Sequence, residues 1–474
     1  MTRAFDRDRP LRVLIAGGGV AALETLLALR ELAGHRVAVT VVAPEREFVY
    51  RPVTVAEPFG RGEARSYPLE QIASDLHAEL VWDSLERVDV ERRSVLTGRG
   101  AEIAFDRLVV ATGAIPRDPL PGALTFAGRQ DVPALVELLA ELGDGRARSV
   151  AFALPTQRMW ALPLYELALM AAENLRERGA KTVSVTLVTP EEEPLELFGA
   201  GAAEAITALL RGRGITLRTS ALPAVVRHRV LVLAGGGEVF VDRVVTLPVL
   251  EGPRLAGLPQ DRRGFIPVDA HGRVTGLDGV YAAGDATVFP LKQGGLAAQQ
   301  ADAVAEAIAA EAGVEAEPRP FHPVLRGLLM TGGAPLYLRA EPHRAPRGTS
   351  VAIEAALSPR STRNGSTAAG QALWWPPVKI AGRYIGPYLA TARPRPLSRE
   401  PLVDRTPVPG PPVSDTEYRD ALELTFLLAK LDARWGDYRS ALDALDAAEA
   451  LEGALPPEYE AMRREWLAAG QSPA

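Results

Sequence analysis

The stretch Arg12–Pro52, RVLIAGGGVAALETLLALRELAGHRVAVTVVAPEREFVYRP, constrains this chain more than any other. Its hydrophobic period changes twice. Val13–Ala16 is a short apolar run of strand character, Ala21–Leu32 repeats apolar residues at helical spacing, and Val37–Ala43 is β-branched again. Gly17-x-Gly19-x-x-Ala22 sits between the first strand and the helix. In such a triplet the first glycine permits a sharp turn and the second lets backbone approach a pyrophosphate. The small third residue lets helix and strand pack closely, while the helix N-terminus supplies N–H groups and a positive dipole end. Alone, the triplet also marks ordinary tight turns; between strand and helix it favours a dinucleotide.

The same alternation continues downstream. Short strands are expected in Glu79–Val90 and Ser94–Leu96, and Phe105–Ala114 reads as a buried strand ending in a small-residue turn. Asp131–Leu142, Leu162–Arg178 and Ala202–Arg213 read as helices, and Arg148–Leu154, Val183–Val188 and Val241–Leu247 as strands. Gly279–Asp285 is strand plus turn again, leading through Lys292-Gln-Gly-Gly into an alanine-rich helix, Leu296–Ala312. Alternation of this kind predicts parallel sheets of the α/β class, with a second unit inserted into the first. Strands are expected at Leu336–Leu338 and Val351–Ala355, the proline-rich Pro394–Val413 reads as an extended linker, and Thr416–Ala469 is helical in pattern.

Composition narrows the chemistry. A chain of 474 residues predicts two or three domains, and 47% hydrophobic with 24% charged residues is ordinary for a globular protein. A net charge of −6 gives no support for nucleic-acid binding. Lysine occurs only at Lys181, Lys292, Lys379 and Lys430. With no cysteine there is no redox disulfide, thiolate nucleophile or cysteine-held metal, and no metal site is expected. The first ten residues do not read as a signal peptide, and no apolar run reaches the ~18 residues that span a bilayer. A cytoplasmic protein is the expectation, with peripheral contact at the inner face of the membrane as an alternative.

Three blocks, Gly17–Ala22, Val109-Val-Ala111-Thr112-Gly113 and Val280-Tyr-Ala-Ala-Gly284-Asp285, occur in an order and spacing that resemble the two-dinucleotide-domain flavoproteins of the pyridine nucleotide-disulfide oxidoreductase type. The branch of type II NADH:quinone and sulfide:quinone oxidoreductases is the most similar. The resemblance covers roughly residues 11–312. It implies non-covalent FAD across a first domain of residues 9–123 and 250–315, with a second Rossmann-like domain at 124–249. A C-terminal α+β region at 316–392, a linker at 393–413 and a helical tail at 414–474 would follow. Carried over, Gly17, Gly19 and Ala22 face the pyrophosphate, and Ala111, Thr112 and Gly113 run along the cofactor. Asp285 accepts a hydrogen bond from the ribityl chain, with Gly284 making room. Lys292 and Gln293 approach the isoalloxazine, where the start of the Leu296 helix offers its positive end, while Arg51 comes to the cofactor and Pro52 lies near the flavin ring. Asp285 also reads as a plain turn residue, and Lys292 as a solvated surface charge.

The chain departs from the pattern at two places. The carboxylate after the second strand comes late, in Val42-Ala43-Pro44-Glu45, so Glu45 either reaches the ribose or stays on the surface. The second domain replaces its glycine turn with Pro155-Thr-Gln-Arg-Met-Trp-Ala-Leu-Pro163, and backbone without glycine does not easily approach a pyrophosphate. That loop resembles the sulfide:quinone branch, yet the cysteines which that branch needs are missing. NAD(P)H is therefore a doubtful second cofactor. Trp160, with Arg158 beside it, is either a lid over the donor pocket or a filler between domains, and Glu166 either relays protons near the flavin or lies on a helix surface.

Leu373–Tyr388 mixes aromatics with Lys379 and Arg383, the chemistry of an interfacial membrane anchor and equally of a segment packed on the flavin domain. The tail resembles one tetratricopeptide-type hairpin, with Leu428, Ala429, Gly436, Asp437, Tyr438, Ala441, Leu445 and Ala448 at packing positions and Asp432 where a tyrosine belongs. It reads as a docking element for a protein partner or a second copy, or as a simple helical cap. The expected function is an FAD-dependent oxidoreductase that passes electrons to a quinone or other small acceptor, with Glu166 and Lys292 as catalytic candidates. The alternatives are an NAD(P)H dehydrogenase of the same fold and a non-catalytic FAD-stabilised scaffold.

Overall fold

The structure is a computed structural model. It describes residues 9–156, 159–315, 317–340, 367–368, 379–380, 382–394 and 454–470, with positions 429, 430, 433, 438, 441, 442, 445 and 449 between them. The expected strand Val351–Ala355, the linker and most of the first tail helices lie outside the described residues.

The opening stretch folds as its periodicity predicts: β1 (Leu11–Ala16), α1 (Val20–Ala33) and β2 (Val37–Val42), followed by β3 (Glu79–Val81) and β4 (Arg107–Val110). Within the inserted unit come β5 (Leu124–Thr125), α2 (Val132–Gly143), β6 (Ser149–Ala153), α3 (Leu162–Glu177), β7 (Ser184–Val188), α4 (Ala200–Gly212), β8 (Ile215–Arg218) and β9 (Arg243–Thr246). The chain then returns to the first unit with β10 (Val280–Ala282) and α5 (Gly294–Glu311).

Two parallel five-stranded sheets result, ordered β10-β4-β1-β2-β3 and β5-β9-β6-β7-β8. Every strand of the second sheet falls between β4 and β10 in sequence. Parallel strands are covered on both faces, which is why Val13, Leu14 and Ile15 are all buried. On one face of the first sheet α1 packs against α5 through small residues such as Ala28, Ala301 and Ala305, so the two helices lie close. The two units join at an antiparallel pair, Ile115–Arg117 with Val249–Glu251.

Beyond α5 an antiparallel pair follows, β11 (Leu325–Leu329) with β12 (Leu336–Ala340). Lys379 and Ile380, then Gly382 through α6 (Ile385–Thr391), run back over the first unit, where Ile380, Ile385 and Leu389 enter its core. This described part of the aromatic segment is thus packed on the first domain; Trp374 and Trp375 lie outside the described residues. In the tail, α7 (Pro457–Gly470) brings Trp466 against Ala429, Ala441, Leu445 and Leu455. No helix among the described residues is long and apolar enough to cross a membrane.

Candidate active site

The three small-residue blocks meet at one place. Gly284 has φ +76°, and a Cβ there would lie 3.0 Å from the Ala21 side chain and 3.4 Å from that of Ala297. The glycine therefore sits between the starts of α1 and α5 and lets both helix N-termini converge. Gly17, at φ +127°, turns the chain so tightly that a Cβ would lie 2.2 Å from the Ala111 carbonyl oxygen. Gly19 and Gly113 are different: nothing lies within 4 Å of the position of an added Cβ. Space is left over the backbone there, and the first N–H groups of α1 have no side-chain acceptor. This is a cradle for an anion. Ala22 is buried in α1, and the Glu45 carboxylate lies beside Gly18, 3.7 Å from where its Cβ would be. The arrangement fits the pyrophosphate-and-ribose half of FAD, with Glu45 at the turn.

Asp285 is half-buried, immediately beyond Gly284. Burial pushes its carboxyl above the ordinary range, while Lys292 and Arg51 pull it back down. Lys292 is no surface charge. Its Nζ donates to the Thr287 carbonyl and lies 3.8 Å from the centre of the Phe265 ring, and burial brings it down to about 8. Gln293 caps α5 instead of reaching outward with its whole amide: its oxygen accepts from Leu296 N at 2.9 Å and its nitrogen donates to the Arg326 carbonyl at 2.8 Å.

Arg51, Pro52, Lys292 and Gln293 form one side of a cavity of about 560 Å³. The other side comes from the second unit, with Phe126, Trp160 and Glu166, and from β11 with Arg326 and Leu328. A volume of this size suits a small organic ligand. Trp160 is half-buried, packs edge-on against Phe198 at 5.8 Å and also lines the cavity, so it is both filler and wall. Arg158 lies outside the described residues.

Glu166 is not on a helix surface. It is fully buried, 0% exposed, because α3 is apolar on every side, from Leu164 to Ala171. Lys379 Nζ donates to both of its oxygens, at 2.6 and 2.7 Å, and Met330 N donates at 2.9 Å. Burial raises the Glu166 carboxyl; Lys379 opposes the shift. The ion pair forms part of the cavity wall. Arg326 joins the site from beyond the glycine blocks with no local motif to mark it, and Lys379 comes from the aromatic and basic segment Leu373–Tyr388.

The second unit holds no matching cradle among its described residues. Glu191 follows β7 as Glu45 follows β2, but it turns inward. It is buried, and its Oε2 accepts from Tyr165 Oη at 2.6 Å and Thr189 Oγ1 at 2.8 Å. Burial raises it to about 7. A carboxylate spent on an internal tyrosine is not presented to a ribose.

A family model described as pyridine nucleotide-disulphide oxidoreductase matches residues 11–147 and 166–310. The gap between those ranges contains β6 and the glycine-free loop. The chain is 28% identical to a sulfide-quinone reductase of Aquifex aeolicus over 196 residues, which is 40% of this chain and 45% of that protein. Thus the match spans under half the length of that relative. It is 27% identical to an NADH dehydrogenase-like protein of Mycobacterium tuberculosis over 290 residues, 58% of this chain and 72% of that protein. Among solved structures, the Aquifex aeolicus sulfide:quinone oxidoreductase superposes with a TM-score of 0.64 at 20% identity, over 73% of this chain and 89% of that one. A ferredoxin reductase from Rhodopseudomonas palustris gives 0.54 at 20% identity, over 72% and 86%. At that identity the two superpositions speak for the fold.

Proposed function

The chain belongs to the pyridine nucleotide-disulphide oxidoreductase family, whose members bind FAD, and from that premise we propose a flavin oxidoreductase that works without a disulfide and passes electrons to a quinone or other small acceptor. FAD, when bound, supplies reversible two-electron transfer. Gly17, Gly19, Ala22 and Glu45 would hold its pyrophosphate and ribose end, with Ala111, Thr112 and Gly113 alongside. Asp285 would hold the ribityl chain, and Arg51, Pro52 and Lys292 the ring end. A cysteine-free chain offers no dithiol, so electrons leave and arrive through the cavity.

The observation that carries this reading is the buried Glu166–Lys379 pair on the wall of a cavity that both units build. Reducing a quinone takes up two electrons and two protons. Lys379 Nζ can hand over one of these protons, with the second drawn from solvent, and Glu166 holds that ammonium in place. Phe126, Trp160 and Leu328 give the cavity apolar walls, two of them flat aromatic rings. A nicotinamide donor is disfavoured by the glycine-free turn and the inward Glu191.

The test is anaerobic titration of the purified flavoprotein with a panel of NADH, NADPH, sulfide and reduced quinones, followed by re-oxidation with oxidised quinones. We expect bleaching by a small donor and none by either nicotinamide. A preparation that binds no flavin would sink the reading, and rapid bleaching by NADH would overturn its choice of donor.

A further inference from the structure

The cavity carries more positive charge than its own residues neutralise. Arg51, Arg263, Lys292, Arg326 and Lys379 line it, against Glu166 and Asp261. Most have a use. Lys379 is paired with Glu166, and Lys292 donates to Thr287 and faces Asp285. Arg263 donates to the Leu250 carbonyl at 2.8 Å and stacks over Phe265, while Asp261 accepts from Phe265 N at 2.8 Å.

Arg326 stands apart. It lies on β11, where Leu325, Gly327 and Leu329 point into the core and Arg326 and Leu328 alternate with them. Its Nε is buried and has no hydrogen-bond partner, and among the described residues no carboxylate pairs with its guanidinium. Directly across the ladder stands another cation, Arg339. Burial and that neighbour both push Arg326 below its ordinary range. A half-buried guanidinium left without an anion is costly to a fold, and like charges opposite one another on a sheet add to the cost. The backbone nevertheless holds Arg326 firmly at the mouth of α5, since its carbonyl accepts from Gln293.

We propose that the molecule taken into this cavity carries a carboxylate on a flat apolar body, and that Arg326 is the residue that receives the carboxylate. A planar guanidinium matches a carboxylate with two parallel N–H···O bonds, which Lys292 or Lys379 would not supply. Phe126, Trp160, Phe289 and Leu328 receive the ring or chain that bears it. This rests on the reading of the cavity as the substrate site, and it narrows that substrate from any small electron carrier to an aromatic or similarly flat acid.

The experiment uses oxidised holoprotein and two probes of nearly equal shape, benzoate and benzamide, followed by perturbation of the visible flavin spectrum. Benzoate is expected to bind at least ~10-fold more tightly. In Arg326→Gln the preference should vanish with flavin content unchanged; in Arg326→Lys, which keeps the charge and loses the fork, it should fall several-fold. Equal binding of the two probes, no perturbation by benzoate, or a preference that survives in Arg326→Gln would each overturn the proposal. Should Arg326→Gln lose its flavin, the Arg326→Lys comparison decides alone. No turnover is involved, so a failed search for an electron donor leaves this result standing, and the reverse also holds.

Discussion

The two five-stranded units are built alike and finished differently. In each, a strand leads through a turn into a helix whose fifth residue is a glutamate, Glu24 in α1 and Glu166 in α3, both 0% exposed. In each, a Val-x-Pro-Glu run follows the next strand, ending at Glu45 and at Glu191. The first unit keeps three glycines in its turn, and the position beside Gly19 is open. The second carries Trp160 in its turn, packed on Phe198, and seals its carboxylate onto Tyr165. One backbone plan thus gives a nucleotide cradle where side chains are absent and a cavity wall where they are present. The paired glutamates then divide a further task. Glu24 accepts from Tyr384 N at 2.9 Å and Ile385 N at 2.6 Å, and Glu166 holds Lys379. Tyr50 Oη accepts from Ile380 N at 2.6 Å between them. The Lys379–Thr391 segment is thereby tied to both units across the cavity's edge.

The largest effect should come from breaking the open turn. Gly17→Ala puts a methyl group 2.2 Å from the Ala111 carbonyl oxygen at a φ of +127°, and the obstacle is backbone, not a movable side chain. Strained backbone of this kind costs about 1–3 kcal/mol before the clash is counted. The variant should be purified without visible flavin absorbance and should melt lower than the parent. Thr156→Gly in the second turn should leave flavin content unchanged. Equal flavin loss in both variants would mean that the two turns do not differ in role.

Glu166→Gln comes next. It leaves the Lys379 ammonium, 7% exposed, without its counter-charge, which costs about 3–5 kcal/mol for a buried pair. Turnover with any quinone acceptor should fall by ~10² or more if the pair moves protons. Glu24→Gln keeps one acceptor oxygen for the backbone N–H groups, so its loss should be about 1–2 kcal/mol, with turnover little changed. If both substitutions lowered turnover equally, the two glutamates would only be holding the Lys379–Thr391 segment.

How much of this was legible in the sequence follows from the range of each signal. β1, α1 and β2 were readable because their periods and the glycine turn lie within a few residues of each other. Gly284 and Asp285 were readable because their block repeats a small-residue strand end. Glu166 is ambiguous by residue type alone, although Leu164, Tyr165 and Leu167–Ala171 around it are apolar on every face, which is a sign of burial. Ile215–Arg218 and the ribbon Pro223–Arg227, Val230–Leu233 and Glu238–Phe240 went unread, since short strands interrupted by glycine resemble loops. Arg326 has no neighbouring motif, and Lys379 sits in a segment whose aromatics and charges mark a surface without saying which one. Two of the four lysines, Lys292 and Lys379, line that cavity.

The smallest predicted effect concerns pH and separates the two glutamates most finely. Glu24 has a second acid beside it, Asp302 of α5, where Glu166 has a cation. Burial, then the charge of Glu24, raises the Asp302 carboxyl from 3.8 to about 8, and Arg383 opposes the shift. Glu306 also faces the group and is itself bound by Arg319 and Arg383. Because the folded value exceeds the unfolded one, the native state holds a proton that the unfolded chain releases. The stability that Asp302 contributes is therefore complete below about pH 4 and is lost as pH rises through about 8. Asp302→Asn, which cannot ionise, should flatten the fall in melting temperature across that window and melt above the parent at alkaline pH. Burial raises the Glu166 carboxyl too, so its side adds a slope of the same sign, which Lys379 works against. Identical melting profiles for parent and Asp302→Asn would show that the acid pair under α6 is already ionised, and that the two glutamates grip the returning chain in the same way.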